Sequence, residues 1–500
     1  MTAAPDIVII GSGIGGATLA AGLAGSGRRI VILERGERLA DSPAARDDRA
    51  IFVRNQFRPP EVWLDGEGMA FNPGNYYCVG GNSKFYGAVL IRYRAEDFRP
   101  TRHLGGATPG WPISYDGLEP WYQAAEEMYQ VRGQIGDDPT EPPHSGRYPH
   151  APVPDEPAIA DLRRRLARVG LHPSSLPLGV DIDRWLARGQ TPWDAFPDTC
   201  GGKMDAESVA LARALAHPDV TLLTGAKVEK LVAGEGGRIA AVQFTCAGKA
   251  ETLSAPIVVL AAGAVNTAAL LLASADARHP TGLANRSDQV GRNFMNHNSS
   301  AVLALHPFRT NPSIYQKTLQ FNDFYLGGGA DDTPLGNVQL LGKISGEILA
   351  SQTPIPKPLA RWIARHCIDL YAMSEDLPHP DSRVTLREGR ICLDWKRSNW
   401  AAHAALVKRL KQVLRRAGYP VVLSRAFDRR TPSHQCGTAR MGDNPAASVV
   451  NGFGRSHDHP NLYIADASVL PTSAAVNPAL TVAALALRTA HHITGTGLGA

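Results

Sequence analysis

Two uninterrupted apolar runs of strand length, Ile7-Val8-Ile9-Ile10 and Ile30-Val31-Ile32-Leu33, open the chain, and an Ala/Leu segment of helical character ending near Ala24 lies between them. Further along, the pattern predicts a helix over Asp205 to Ala216 and strands over Val220 to Leu223, Lys227 to Val232, Ile239 to Thr245 and Ile257 to Ala261. A helix that opens at a glycine follows over Gly263 to Ala273. Residues 300–345 are aromatic and β-rich, which predicts a sheet, and Leu406, Leu410 and Leu414 recur at helical spacing within 399–417. The last apolar segments are a strand over Asn461 to Asp466 and a helix over Pro478 to Thr489. The 37 prolines and 49 glycines gather in the connections, as in Pro139 to Pro143 and Pro149 to Pro157, and punctuate lobes flanked by apolar segments. No internal repeat is present.

The first strand breaks into Gly11-Ser12-Gly13-Ile14-Gly15-Gly16 before the helix starts, a Gly-x-Gly-x-x-Gly loop in strand–turn–helix context. Gly11 permits the tight turn, Gly13 leaves no Cβ between backbone and pyrophosphate, and Gly16 lets helix and strand pack closely. The helix N-terminus offers free N–H groups and a positive dipole end. Glu34 closes the second strand, about 18 residues beyond Gly16, where an acidic side chain bonds ribose hydroxyls and repels a 2′-phosphate. Arg35 follows it. The chain is thus expected to bind a dinucleotide other than NADP, and the loop alone does not choose between FAD and NAD.

At 500 residues the chain can bury a large core in two or more lobes. Hydrophobic content of 44% and charged content of 20% are those of a soluble globular protein. A net charge of +5 spread over this length carries no nucleic-acid or polybasic membrane signature, and the cluster Arg163-Arg164-Arg165 reads as a solvated helix face. The six cysteines are scattered with no C-x-x-C pair, which argues against a metal site or a disulfide framework. The N-terminus lacks a basic leader, no apolar run reaches membrane-spanning length, and the expected location is cytoplasmic.

Three blocks near the C-terminus are specific in combination: His434-Gln435-Cys436-Gly437-Thr438, then Asp466-Ala467-Ser468-Val469-Leu470-Pro471-Thr472, then Asn477-Pro478-Ala479-Leu480-Thr481. With the glycine loop, they make the chain resemble the glucose–methanol–choline (GMC) oxidoreductases, FAD enzymes that oxidise alcohols and sugars. The resemblance runs from the Gly11 loop to the final helix. It implies a catalytic base at His434 and its partner at Asn477, 11 residues after Asp466. It also implies that Asp466 and Ala467 hold the pyrophosphate and the dimethylbenzene end of the flavin region, with Asn477 and Pro478 beside the pyrimidine end. Val79 to Gly87 is similar to the family's Gly-Gly-x-Ser loop over the flavin, which adds Gly80, Gly81, Asn82 and Ser83, and Val228 falls where a backbone contact meets the adenine. Gly263 to Thr267 matches the first half of a second signature, but Ala268 and Ser274-Ala275 depart from its remainder. The implied cofactor set is Gly11, Gly13, Ile14, Gly15, Gly16, Glu34, Arg35, Gly80, Gly81, Asn82, Ser83, Val228, Gly263, Asp466, Ala467, Asn477 and Pro478. No metal is implied. Some relatives attach FAD through a histidine at the position of Phe85, so non-covalent FAD is expected.

Alcohol oxidation removes the O–H proton and moves a hydride from the same carbon to flavin N5. Imidazole suits the proton, and the Asn477 N–H can support the developing alkoxide without competing for it. Other histidines are expected to be unremarkable: His457 and His459 in a surface turn rather than a metal site, and His297 in packing rather than substrate contact. Tyr76, Tyr77, Phe85 and Tyr86 flank the flavin loop, either as a sugar platform or as core, and Cys436 reads as filler.

The fold class expected is α/β with two lobes (α+β overall), a GMC or p-hydroxybenzoate hydroxylase-like arrangement. Residues 1–100, 200–300 and 430–500 form a discontinuous Rossmann-like FAD-binding domain, and 101–199 with 301–429 form a sheet-based substrate domain. The expected activity is FAD-dependent oxidation of a CH–OH group of a sugar, glycoside or amino sugar, with O₂ or another carrier as acceptor and the oligomeric state open. Simple aliphatic or aryl alcohol oxidation is the alternative within this chemistry, and a non-catalytic flavin-binding protein is the alternative outside it. An NAD-dependent reductase with two dinucleotide sites would need a second glycine loop in mid-chain, which is absent.

Overall fold

The computed structural model describes residues 4–187, 189, 192–428 and 433–495. Five parallel strands carry the glycine loop, in the order Leu462–Ile464, Ile257–Leu260, Ile7–Ile10, Ile30–Leu33, Val220–Leu223. Ile7–Ile10 and Ile257–Leu260 are buried at every position, which is why their sequences are continuous apolar runs rather than alternating ones. The chain leaves Ile7–Ile10 toward one edge and later returns on its other side at Ile257–Leu260. The glycine loop thus sits at the carboxyl ends of the strands where the winding reverses, the usual ligand position in such sheets. Between Val220–Leu223 and Ile257–Leu260 runs an antiparallel meander, Ala226–Ala233, Ile239–Cys246 and Lys249–Leu253.

A second sheet has six strands, in the order Val421–Ala426, Asn298–Leu305, Cys367–Ser374, Asn337–Leu340, Leu319–Phe321, Ser174–Ser175. Helix Trp400–Arg416 lays Leu406, Leu410 and Leu414 against Val302, Val338 and Leu370 of this sheet, the face its spacing predicts. A smaller sheet pairs Trp63–Asp65 and Ala70–Phe71 with Arg383–Arg387 and Arg390–Asp394. It joins strands from either side of the expected division of the chain. The helix expected over 205–216 begins as a π-helical stretch, Ala206–Leu211, capped by Asp205, and continues as Ala212–Leu215. No helix among the described residues is long and apolar enough to cross a membrane.

One expected surface turn is not at the surface. His459 is buried, with Nε2 accepting from Ala284 N at 3.1 Å and Nδ1 donating to Gly237 O at 2.6 Å. His457 is half-buried against Ser448 Oγ and Gly442 O. Connections meet here, and an imidazole satisfies a backbone donor of one and a backbone acceptor of another at once.

Candidate active site

A cavity of about 1620 Å³ extends from the glycine loop to the six-stranded sheet. It exceeds the usual drug-sized pocket of up to about 1,000 Å³ and has room for a dinucleotide and a substrate together. The wall carries His434 and every residue of the implied cofactor set except Gly16 and Gly80. Those two act behind the wall. A Cβ on Gly16 would lie 2.0 Å from Gly11 O, so its absence is what lets the helix seat on the strand, and Gly80 is a left-handed turn residue.

At the loop end the backbone is open. Nothing lies within 4 Å of where a Gly13 Cβ would point, and helix Ile14–Leu23 has neither a side-chain cap nor an acid in its first turn. Helix Ala479–Gly495, entered from Pro478, also has no acid in its first turn. Glu34 Oε2 accepts from Ser12 N at 3.0 Å and Ser12 Oγ at 2.7 Å, and Oε1 accepts from Gly36 N at 2.9 Å. Its carboxylate therefore holds the glycine loop in place from the end of the second strand. Arg35 stacks on Tyr77, 3.6 Å from the ring centre, and Tyr77 donates to Glu61. The Asp466 carboxylate ties its own turn to the start of the helix after Gly263, accepting from Thr267 Oγ1 at 2.6 Å, Gly263 N at 3.0 Å and Ser468 N at 2.8 Å. Burial raises its pKa. Phe85 lies parallel to Tyr76 with ring centres 3.5 Å apart, so these aromatics form a stacked wall.

At the other end two backbone segments run side by side. Met295 and Cys436 exchange both backbone hydrogen bonds at 3.0 Å, and His434 N donates to Asn296 Oδ1 at 2.7 Å. Gly437 is obligatory, because its φ is +89° and a Cβ would meet Asn293 O at 2.4 Å. Thr438 Oγ1 donates to Ala264 O at 2.6 Å, which anchors the block to the helix after Gly263. Cys436 is buried with its thiol pushed well above the usual range by burial, consistent with a packing role.

This pairing brings His297 onto His434, their Nδ1 atoms 2.8 Å apart. His297 Nε2 is 3.0 Å from Ser473 O, a carbonyl that can only accept, so Nε2 carries the hydrogen. Burial lowers the His297 pKa to about 4, so the ring is neutral and its Nδ1 must accept. His434 therefore donates from Nδ1 and keeps a lone pair on Nε2. Asn477 Nδ2 lies 3.3 Å from that Nε2. Burial first, then His297 and Lys317, hold the His434 pKa well below the usual imidazole range. The arrangement presents an unprotonated nitrogen and an adjacent N–H donor to the same point.

Sequence reasoning assigned His297 to packing and passed over Gln339, whose Nε2 donates to Asn477 Oδ1 at 2.9 Å. A signal for Gln339 was present: Asn337 and Gln339 are polar at alternate positions of a strand that is buried throughout. The signal for His297 was weaker, since only the fold brings it opposite His434.

Comparison with known proteins gives the lineage. The GMC oxidoreductase profiles match residues 188–299 and 378–486, and an NAD(P)-binding Rossmann-like profile matches residues 9–55. The 6'''-hydroxyparomomycin C oxidase of Streptomyces lividus is 31% identical, over 98% of this chain and 91% of its own. The chain belongs to the GMC oxidoreductase family. The paromamine 6'-oxidase of Streptomyces fradiae is 29% identical over 98% of this GMC oxidoreductase and 91% of its own length. The crystal structure of pyridoxine 4-oxidase from Mesorbium loti has the same fold, with a TM-score of 0.67, 20% identity, and coverage of 99% of this chain and all of its own. Like its family, this GMC oxidoreductase is an FAD-dependent enzyme acting on CH–OH donors. The residues present fit FAD: the open Gly13 backbone and uncapped helix suit its phosphates, and the cavity continues from there to His434.

Proposed function

We propose that this enzyme oxidises a CH–OH group of a sugar, glycoside or amino sugar to a carbonyl, with His434 as the base and Asn477 as the group that holds the reacting oxygen. The observation that carries the proposal is the approach of Asn477 Nδ2 to the unprotonated His434 Nε2, 3.3 Å, on a cavity wall shared with the glycine loop. A substrate hydroxyl that bridges the pair from the cavity side donates to Nε2 and accepts from Nδ2. As the proton moves to Nε2, the Asn477 N–H meets the charge developing on oxygen. The cation formed on His434 is supported through Nδ1 by His297, which is backed by the Ser473 carbonyl. Bound FAD supplies the hydride acceptor. Gly11, Gly13, Ile14, Gly15, Glu34, Arg35, Gly81, Asn82, Ser83, Val228, Gly263, Asp466, Ala467, Asn477 and Pro478 would surround it, with Gly16 and Gly80 shaping the loops behind.

The names of the two Streptomyces relatives support the sugar-type substrate. So do Asn296, Ser299, Lys317 and Tyr371, polar side chains on the same cavity wall as His434. A simple aliphatic or aryl alcohol is the second reading, favoured by Leu303, Leu341, Ile344 and Leu349 in the same cavity. We further propose that FAD is non-covalent, because Phe85 cannot form the attachment bond, and that O₂ or another carrier reoxidises it. Residues 1–100, 200–300 and 430–500 would form the FAD lobe, with 101–199 and 301–429 the substrate lobe. A cytoplasmic location is proposed from the scattered placing of the cysteines, with no C-x-x-C pair in the sequence.

The test is anaerobic bleaching of the yellow protein by a panel of sugars, glycosides, amino sugars and simple alcohols. Bleaching by a sugar-type compound supports the proposal, and bleaching by simple alcohols alone moves it to the second reading. Colour that no alcohol removes makes the protein a flavin binder without this chemistry.

A further inference from the structure

We propose that a buried chain of amides, Asp138 to Asn322 to Asn337 to Gln339, determines which end of Asn477 faces His434, and that Gln339 is a positioning residue for the reaction. The inference rests on the roles proposed above for His434 and Asn477.

Asp138 anchors the chain. Its carboxylate accepts from Arg94 Nη2 at 2.5 Å, from Thr140 N and Oγ1 at 2.9 Å, and from Asn322 Nδ2 at 2.6 Å. Asn322 must therefore turn its NH₂ toward Asp138 and its carbonyl away. Asn337 Nδ2 donates to that carbonyl at 2.7 Å and to Gln320 Oε1 at 3.2 Å. The Asn337 carbonyl is left to accept from Gln339 Nε2 at 3.2 Å, and the second Nε2 hydrogen goes to Asn477 Oδ1 at 2.9 Å. Asn477 is then left with its NH₂ toward His434. Turning any one of these amides over opposes donor to donor or acceptor to acceptor. Turning Gln339 over would set its oxygen against two carbonyl oxygens, so its NH₂ stays in place even though Gln339 Oε1 is buried without a partner.

A chain serving only the sheet would not need a direction. This one ends where a second directional chain ends, from Ser473 O through His297 to His434. Both begin on groups that only accept, and together they leave one lone pair, on His434 Nε2, facing one N–H, on Asn477. Buried amides are costly unless paired, and apolar side chains would fill the same strand positions more simply.

The test uses the FAD-loaded enzyme with Gln339→Leu and Gln339→Glu. With the alcohol that bleaches fastest in the panel, Gln339→Leu should slow flavin reduction about ten-fold, the loss of one buried hydrogen bond. In an Asn477→Ala background the same change should cost less than about two-fold, because Gln339 acts through Asn477. Gln339→Glu should be slower than Gln339→Leu at pH 8, since an ionised carboxylate cannot donate and draws the Asn477 NH₂ to itself. It should recover on acidification as the carboxyl protonates. The readout that needs no turnover is nitrogen-15 histidine NMR, with His434 assigned from the His434→Gln spectrum. The His434 Nε2 resonance should move in Gln339→Glu as its hydrogen bond is lost. A moved resonance with no alcohol bleaching the flavin keeps the amide chain and removes the proposed reaction. An unmoved resonance, equal rate losses in both backgrounds, or loss of FAD from both variants overturns the role proposed for Gln339.

Discussion

His297 Nδ1 and His434 Nδ1 lie 2.8 Å apart, and the Ser473 carbonyl behind His297 decides which of the two carries the shared hydrogen. The consequence is a proton on His434 Nδ1 and a lone pair on Nε2. His297→Phe keeps a ring in the space but removes the acceptor, so His434 can adopt the other tautomer. Flavin reduction should fall about ten- to hundred-fold with FAD content unchanged. His297→Gln, which can still accept, should recover part of the loss. Anaerobic stopped-flow absorbance separates the two, and equal rates in both variants would assign His297 to packing alone.

The acid side of the pH profile should be flat where an ordinary histidine would titrate. Burial holds the His434 pKa well below its usual value and the His297 pKa near 4, so both rings stay neutral as pH falls through 6.5. The limiting rate of flavin reduction should hold from pH 8 to about 5. An inflection near pH 6.5 would mean that a solvent-accessible imidazole is the base.

The same burial makes stability pH-dependent. Burial lowers His103 and His297 to about 4 and His403 to about 3, against an unfolded value near 6.5. In that window the unfolded chain binds more protons, so stability is complete above pH 6.5 and is lost progressively as pH falls toward 4. His403 lies between Ser300 Oγ and Ser374 Oγ and is not among the residues of the cavity wall, and His403→Gln should flatten the fall in melting temperature. An unchanged slope would mean that other groups dominate the acid transition.

FAD should leave the protein on acid precipitation, since Phe85 stands at the attachment position and is stacked on Tyr76. Glu34→Ala should weaken FAD retention while leaving the reduction rate of the retained fraction largely intact. Two reasons apply: an acid at this position is proposed to bond the ribose hydroxyls, and in the structure it clamps Ser12 N and Oγ. Colour in the pellet, or undiminished FAD affinity in Glu34→Ala, would count against these assignments.

What was legible in the sequence was what local chemistry dictates. The uninterrupted runs at Ile7–Ile10 and Ile257–Leu260 are a parallel sheet with no solvent face, and the leucine spacing of 406, 410 and 414 is one helix face. The roles proposed for His434 and Asn477 came from the resemblance of their blocks to those of the family, and the structure adds backbone reasons for two neighbours of His434, Gly437 and Thr438. The parts that were not legible depend on contacts across long separations. His297 meets His434 across 137 positions and Gln339 meets Asn477 across 138. The burial of His459 was hidden for the same reason, since its partners Gly237 and Ala284 lie 222 and 175 positions away.

Asn477→Asp should retain FAD and lose rate, because it sets a negative charge where the N–H supported the developing alkoxide. Normal reduction in this variant would remove Asn477 from the reaction.

The most direct measurement is anaerobic stopped-flow bleaching of His434→Ala beside the wild-type enzyme with the same alcohol. Removal of the base should slow flavin reduction by about 10²–10⁴-fold while FAD content and melting temperature stay close to wild type. Bleaching at the wild-type rate would contradict the assignment of His434 as the base.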